Sequence, residues 1–221
     1  KNRVFGFGYY EGFRNDAGIT NNVVVLSEAQ RAGSFGATTI RDPLTGLYSR
    51  LHFEEVTPQA LAHARRYREP ISLMIIDGDH FKSINDRFSH LEGDRVLKIM
   101  GATLNAEVRA ADVACRYGGD EFVIVLPRTD AESARTVAER FQARLRETCA
   151  FADPPHPWGV ITATIGIACD PTDGHFQTIE DLVRVADSRL YEGKHAGRNC
   201  VVWDSEVAPL PLADKGRALT A

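Results

Sequence analysis

The chain has 221 residues, 43% hydrophobic and 25% charged, a composition typical of one well-packed globular domain with appendages. Its formal net charge of −4 excludes a global attraction to nucleic acid polymers or anionic membranes, so a polyanionic ligand needs a local site. No apolar run reaches the ~20 residues that span a bilayer. The four scattered cysteines are expected to be buried thiols in a reducing cytoplasm, not zinc ligands or disulfides.

Residues 1–38 show no sustained hydrophobic period, and we expect them to be the end of an upstream sensor or linker region. Within them, residues 23–32 favour a strand or a short linker helix. The chain begins with Lys1 and not Met, so we expect it to continue upstream, and attachment of the full-length protein to a membrane is left open. Residues 39–205 form the regular domain, and residues 206–221 are expected to be a loose tail.

Asp42-Pro43 predicts a helix start, with an apolar face that continues toward Tyr67 and is interrupted at Pro58. Residues 71–76 are too apolar for a half-exposed strand, so they predict a buried central strand. That strand ends in Asp77-Gly78-Asp79.

Two helices are predicted next, over about 80–88 and 94–109. The segment between them contains Gly93 followed by Asp94, which predicts a break and then an N-cap.

The sequence Arg-Tyr-Gly-Gly-Asp-Glu-Phe, residues 116–122, lies between two apolar runs and predicts a β-hairpin with Gly118-Gly119 in a tight turn. The glycines would let a ligand lie against the backbone. Asp120 and Glu121 supply the hard oxygen ligands that Mg²⁺ prefers. Taken alone, the segment fits an ordinary solvated turn as well.

The remaining pattern predicts two helices and two strands. They span residues 130–148 (helix), 160–168 (strand), 179–195 (helix) and 200–203 (strand). The resulting order β-α-α-β-β-α-β-α-β predicts an α+β domain with a mixed, largely antiparallel sheet flanked by helices.

Asp77 would lie beside Asp120 and Glu121 if the buried strand pairs with the hairpin. Three carboxylates at adjacent strand ends repel one another unless cations neutralise them, which favours a metal site suited to phosphate chemistry. Lys194 and Arg198, four residues apart, would either complement the dipole at a helix C-terminus as a solvated pair or bind a triphosphate.

Two more groups of residues are candidates for ligand binding. The backbone amides of Phe81 and Lys82 could bind an anion at a helix N-terminus. Asn85 and Asp94 are either helix caps or a pair that matches a guanine edge, and His90 between them either contacts the ligand or packs the break.

Arg109 and Asp112 are three residues apart, just before the predicted hairpin. A surface ion pair is one interpretation of this spacing and would contribute little stability. Because arginine also binds guanine O6 and N7 in a bidentate way, a guanine nucleotide site is the other.

The chain resembles the GGDEF domains of bacterial diguanylate cyclases over residues 40–204, with the motif that names the family at 118–122. Further matching blocks occur in the expected order and distance. They are Asp42–Leu47, Asp77–Asp86, His90 with Gly93-Asp94, Thr164–Ala168, Ala186-Asp187 and Gly197–Asn199. Ser49, Ser89 and Gly193 stand where Asn, Gly and Ala are usual in the family. Gly193, just before Lys194, is expected to destabilise the phosphate-binding turn by up to ~1 kcal/mol.

The resemblance implies a fold like those of nucleotide cyclases and polymerase palm domains, and the Mg²⁺-dependent condensation of two GTP into cyclic di-GMP and two pyrophosphates. It implies that Mg²⁺, or Mn²⁺ in its place, is held by Asp77, the Gly78 carbonyl, Asp120 and Glu121, and that Asp120 also orients or deprotonates the attacking hydroxyl. The substrate-binding residues that it implies are Phe81, Lys82, Asn85, His90, Asp94, Gly118, Gly119, Lys194 and Arg198.

By the same resemblance, the active species is a homodimer, because each domain binds one GTP and the product contains two. Arg109 and Asp112 would form an inhibitory site for cyclic di-GMP, with Arg116 and Arg140 as helpers. The rival function is a catalytically silent receptor for cyclic di-GMP or GTP that signals through a partner protein. A cyclase of altered base choice is a third candidate, which Asp94 disfavours.

Overall fold

The computed structural model describes residues 13–14, 20–21, 40–152 and 154–204. A first unit, residues 1–40, contains the antiparallel pair β1 (Phe13–Arg14) and β2 (Thr20–Asn21). The features expected at residues 23–32 and 206–221 lie outside the described residues. The second unit, residues 41–221, contains the other described elements.

A six-stranded sheet forms the centre of the second unit, in the order β3-β5-β6-β4-β7-β8. Its strands are β3 (Tyr48–Ser49), β4 (Ile71–Gly78), β5 (Val113–Arg116), β6 (Glu121–Pro127), β7 (Ala163–Asp170) and β8 (Val201–Val202). The two edge pairs, β3–β5 and β7–β8, are parallel and the inner pairs are antiparallel. The predicted mixed, largely antiparallel α+β fold is therefore confirmed.

Five helices cover the two faces of this sheet. They are α1 (Arg50–Tyr67), α2 (Phe81–Arg87), α3 (His90–Glu107), α4 (Ala131–Ala150) and α5 (Ile179–His195). Met74 and Ile76 of β4 pack in one core with α2, α3 and α4, whereas Leu73 and Ile75 pack in a second core with α1 and α5. Because both faces of β4 are covered, its sequence is apolar without alternation, as predicted.

The predicted helix start at Asp42-Pro43 is wrong. Asp42 begins a turn, because its Oδ1 atom accepts hydrogen bonds from the backbone N–H and the hydroxyl of Thr45 at 2.8 and 2.7 Å. The helix begins at Arg50 with Ser49 as its N-cap, and Pro58 lies inside the helix without ending it.

The predicted break at Gly93 with an N-cap at Asp94 is also wrong. Helix α3 begins at His90, and the Ser89 hydroxyl caps it by accepting a hydrogen bond from the backbone N–H of Glu92 at 3.3 Å. Gly93 lies inside α3, where a side chain would lie 2.9 Å from Cγ of Asn85 and 3.1 Å from Cζ of Phe81. Glycine at this position allows α2 to pack closely against α3.

Gly193 likewise lies inside α5, which contradicts the expectation that it loosens a turn. A Cβ atom there would lie 2.7 Å from Cγ2 of Thr164 and 3.0 Å from Sγ of Cys200. Its role is to bring the end of α5, which carries Lys194, close to β7. No helix among the described residues is both long enough and apolar enough to cross a membrane.

Candidate active site

The carboxylate residues of the site lie at one end of the central strands. Asp77 on β4 stands opposite Glu121 on β6 and opposite Thr164 on β7. Asp120 precedes Glu121 directly, in the turn of the β5–β6 hairpin. The predicted pairing of the buried strand with the hairpin is confirmed. It places the three carboxylate residues Asp77, Asp120 and Glu121 together at one end of the central strands, which we call the metal edge.

The hairpin turn differs from the expected tight turn in its backbone conformation. The backbone N–H groups of Tyr117 and Gly118 donate to the carbonyl of Glu121 at 2.9 and 3.3 Å, and the loop between the two strands spans residues 117–120. Neither Gly118 nor Gly119 has a positive φ angle, so conformational freedom does not explain them. A side chain at Gly119 would meet nothing within 4 Å, so the glycines leave the backbone accessible to a ligand.

Lys194 pairs with Asp77 directly, with Nζ 2.7 Å from Oδ2. Burial raises the pKa of the Asp77 carboxyl, the hydrogen bond and charge of Lys194 lower it, and the charges of Asp120 and Glu121 raise it. The carboxylates are thus close enough to repel one another, and Lys194 offsets part of that repulsion. Sequence reasoning assigned Lys194 to phosphate binding and did not anticipate this contact.

The donor set fits a hard divalent cation that is held jointly with a nucleotide. Within residues 40–152 and 154–204, no three His, Cys, Asp or Glu side chains converge into a preformed metal centre. Mg²⁺ binds commonly through one or two carboxylates together with substrate phosphates, and two adjacent acids beside Asp77 match that mode. Their mutual repulsion is what such a cation would remove.

Two groups near this edge are available to anions. Helix α2 begins at Phe81 after His80, whose side chain makes no capping bond, and within the described residues the amides of Phe81 and Lys82 make no hydrogen bond. Arg198 follows the end of α5 in the left-handed conformation with φ of 65°. Its side chain is exposed and, in the described part of the chain, forms no ion pair.

The structure brings the three residues that were predicted for the guanine side close together. Asn85 on α2 packs against Gly93 of α3, the residue before Asp94. His90 and Asp94 are four residues apart on α3 and therefore lie on one side of that helix. Their proximity results from the close packing of α2 on α3 and not from the predicted kink.

Arg109 and Asp112 do not form the surface ion pair that was one interpretation. The Asp112 carboxylate is buried, and its Oδ2 atom accepts a hydrogen bond from the backbone N–H of Arg109 at 2.6 Å. Burial raises the pKa of Asp112, against the lowering effect of Arg109. Both residues line a cavity of about 160 Å³ that Arg41, Tyr48 and Asn105 also line.

The other two arginines predicted for the inhibitory site are engaged elsewhere. Arg116 donates to the Gly119 carbonyl at 3.1 and 2.8 Å and pairs with Asp42 at 3.2 Å. Arg140 pairs at 2.7 Å with Glu107, whose side chain is only 3% exposed. Neither arginine lines the cavity beside Arg109.

Sequence reasoning missed several residues that shape these sites. Arg41 lies over the ring of Tyr48, 4.4 Å from its centroid, and both line the cavity. Asp79 is 5% exposed and binds three donors from two other segments. For Asp79 the available signal was a second acid two residues after Asp77; for Arg41 and Tyr48 the sequence carried none.

A family model described as diguanylate cyclase, GGDEF domain, matches residues 39–200 of the chain. The response regulator PleD of Caulobacter vibrioides is 37% identical over 163 residues, which are 74% of this chain and 36% of PleD. Diguanylate cyclase DgcP of Pseudomonas aeruginosa is 40% identical over 160 residues, 72% of this chain and 23% of DgcP. The chain therefore spans about a third or less of the length of these two relatives.

Solved structures give the same family. The GGDEF domain of DgcB from Caulobacter crescentus, solved in complex with c-di-GMP, aligns with a TM-score of 0.69 and 28% identity, over 76% of this chain and 96% of that domain. Diguanylate cyclase SiaD of Pseudomonas aeruginosa, solved with its activator SiaC, aligns with a TM-score of 0.69 and 31% identity, over 79% of this chain and 65% of SiaD.

Proposed function

The chain belongs to the GGDEF-domain family of diguanylate cyclases, and from this premise we propose that it condenses two GTP into cyclic di-GMP. In each of two steps, a 3′-hydroxyl attacks the α-phosphorus of the other nucleotide, a new P–O bond forms, and pyrophosphate leaves. The proposal rests on the metal edge, where Asp77 faces Glu121 and pairs with Lys194. All three residues lie in the segment that the family model matches. Residues 39–205 would be the catalytic domain, downstream of a sensor or linker region.

The carboxylates at this edge would hold the metal and position the nucleophile. Asp77, the Gly78 carbonyl, Asp120 and Glu121 are the groups that would hold Mg²⁺ or Mn²⁺. A bound divalent cation would neutralise phosphate charge and make the attacking hydroxyl more acidic. Asp120 would orient that hydroxyl and accept its proton. Lys194, which neutralises Asp77 in the free protein, would turn to the phosphates when the cation takes over that task.

The remaining substrate contacts would divide between phosphates and base. The amides of Phe81 and Lys82 and the exposed Arg198 guanidinium would bind phosphate oxygens. Asn85 and Asp94 would bind the guanine edge, since Asp accepts from the ring N1 and exocyclic N2 hydrogens while Asn both donates and accepts. His90 lies on the same side of α3, and Gly118 and Gly119 would let the nucleotide lie against the hairpin.

Each domain would hold one GTP, so the active species would be a homodimer with two facing sites. The cavity beside Arg109 and Asp112 would bind cyclic di-GMP as an inhibitor. Arg116 and Arg140 would contact this ligand after leaving their present partners, Asp42 and Glu107. The DgcB GGDEF domain was solved with c-di-GMP, which supports product binding in this family. SiaD was solved with its activator protein SiaC, which is consistent with regulation of this chain through an upstream region.

Incubation of the purified chain with GTP and Mg²⁺, followed by chromatography of the nucleotides, tests this function. The proposal predicts cyclic di-GMP and pyrophosphate in a 1:2 ratio, and no turnover by a folded Asp120→Ala variant. A dimeric sample that makes no product but binds added cyclic di-GMP would favour the receptor function instead.

A further inference from the structure

Asp77 and Asp79, two residues apart on the chain, have different surroundings. Asp77 points to the edge where Lys194 pairs with it, whereas Asp79 is 5% exposed and, within the described residues, makes no ion pair. The Asp79 carboxylate accepts three hydrogen bonds instead, from the hydroxyls of Thr162 and Thr164 at 2.6 Å each and from the backbone N–H of Asn199 at 3.0 Å. A buried carboxylate that accepts three hydrogen bonds has its oxygen atoms satisfied, so it holds the backbone and side chains that donate to it in fixed positions.

The third of these bonds fixes the turn that carries Arg198. Gly197, Arg198 and Asn199 all have positive φ angles, of 118°, 65° and 48°. Arg198 is strained by ~1–2 kcal/mol in this region, whereas asparagine adopts it at lower cost, and the strain at Arg198 persists only where the surroundings hold it. The backbone N–H of Arg198 donates to the Gly193 carbonyl at 2.9 Å, and the next N–H donates to Asp79.

We propose that Asp79 is a positioning residue for phosphate binding, which acts by holding the Gly197–Asn199 turn so that Arg198 lies beside the metal edge. The inference rests on the proposed function, because that function supplies the triphosphate that Arg198 binds. The connection is short: Asp79 is two residues from Asp77, and Asn199 adjoins Arg198. Asp79 thereby couples the position of the cation-binding acid to the position of the phosphate-binding arginine.

The test measures binding of inorganic tripolyphosphate with Mg²⁺, which does not depend on turnover. In Asp79→Ala the turn loses its acceptor, so we expect tripolyphosphate to bind about as weakly as it does to Arg198→Ala, and the double variant to be no weaker than either. In Asp79→Asn the amide oxygen can still accept from the Asn199 N–H and the Thr162 hydroxyl. The amide N–H2 can donate to the Thr164 hydroxyl, which rotates to accept. We therefore expect the affinity for tripolyphosphate to stay within about twofold of the wild type. Additive losses, or an Asn variant as weak as the Ala variant, would overturn the proposal.

Asp173→Ala is the matched control, because it also removes a mostly buried carboxylate. Asp173 pairs with Arg189 and accepts from the backbone N–H of Cys169, at the other end of β7. We expect it to lower the melting temperature without changing tripolyphosphate affinity, and an equal loss of affinity there would reduce Asp79 to a general stability effect and contradict the proposal. If Asp79→Ala does not fold, Asp79→Ser serves in its place, since its shorter side chain cannot reach the Asn199 amide.

Failure of the proposed function and failure of this inference give different results. If the wild type binds tripolyphosphate and the Asp79 variants behave as expected but GTP yields no cyclic di-GMP, the cyclase proposal fails and the positioning role stands. If GTP turns over normally in Asp79→Ala with unchanged KM, the positioning role fails and the cyclase proposal stands.

Discussion

Replacing Gly93 with alanine separates the stability of the fold from binding of the substrate. A Cβ atom at this position would overlap Oδ1 of Asn85 and lie 2.9 Å from its Cγ, compared with ordinary carbon contacts of about 3.5–4.0 Å. The Asn85 amide must therefore move by roughly 1 Å, which a flexible side chain can do at little cost. Because Gly93 lies inside α3, alanine also gains up to ~1 kcal/mol of helix propensity.

We therefore expect Gly93→Ala to keep or raise the melting temperature while it weakens GTP binding. Loss of one hydrogen bond to the base costs about 0.5–1.5 kcal/mol, which is roughly a 2- to 13-fold rise in Kd. The assay is isothermal titration calorimetry, which measures the Kd of 3′-deoxy-GTP in the presence of Mg²⁺. This nucleotide lacks the attacking hydroxyl and cannot react. A double variant with Asn85→Ala should bind no more weakly than Asn85→Ala alone.

Gly101→Ala is the control on the same helix. A Cβ atom there would lie 2.7 Å from Cβ and 3.0 Å from the backbone oxygen of Thr45, neither of which is a flexible side-chain end. This variant should lose stability and keep its nucleotide affinity. An unchanged Kd in Gly93→Ala, or additive losses in the Gly93→Ala, Asn85→Ala pair, would refute the placement of Asn85 at the guanine edge.

Three further predictions concern α5, the metal edge and the cavity. Gly166→Ala should destabilise the fold by ~2 kcal/mol or more, and lower the melting temperature by several degrees, because a Cβ atom there would overlap the α5 backbone; an unchanged melting curve would contradict this packing. Lys194→Met should raise the pKa of Asp77 further, as followed by carboxyl NMR in metal-free and nucleotide-free protein, because Lys194 lowers that pKa in the wild type. Because the pKa of Asp77 is raised in the folded protein, the contribution of Asp77 to the free energy of unfolding is lost as the pH rises from the ordinary carboxyl pKa of about 3.9 through the raised pKa. The variant should extend this pH range upward, and an unshifted pKa of Asp77 would refute the pairing with Lys194. Arg109→Ala should relieve product inhibition and increase accumulated cyclic di-GMP, and unchanged inhibition would remove that residue from the site.

The central elements were predictable because their sequences carry local signals. The apolar run of β4 and the glycine-rich hairpin specify a buried strand and its neighbour without knowledge of the rest of the chain. The bounds predicted for helix α5, about 179–195, match the structure, in which Thr178 and Asp181 form a capping box that marks its start.

Errors arose where one residue type serves two local structures. Asp42 caps a turn with Thr45 as readily as it would cap a helix, and Ser89 was overlooked as a cap because Gly93 resembled a break. The identity of Gly93 is explained only by the approach of Asn85 from another helix. No local pattern contains that information.

The contacts between distant segments were equally hidden. The pairing of Lys194 with Asp77 and the hydrogen bond from Asn199 to Asp79 join residues more than a hundred positions apart. Sequence reasoning identified Asp77 and Lys194 as separate candidates. Their direct contact depends on the close packing of α5 against β7, which Gly166 of the strand and Gly193 of the helix permit and which only the structure describes.

The dependence of the initial rate on protein concentration tests the central claim most directly. If two domains, each with one GTP, form the active site, the rate of cyclic di-GMP formation per chain should rise in proportion to chain concentration while the monomer predominates, and level off as the dimer forms. Sedimentation of the same samples gives the monomer fraction. A rate per chain that stays constant across a concentration range in which the protein is monomeric would contradict the account, as would the absence of product from samples that are fully dimeric.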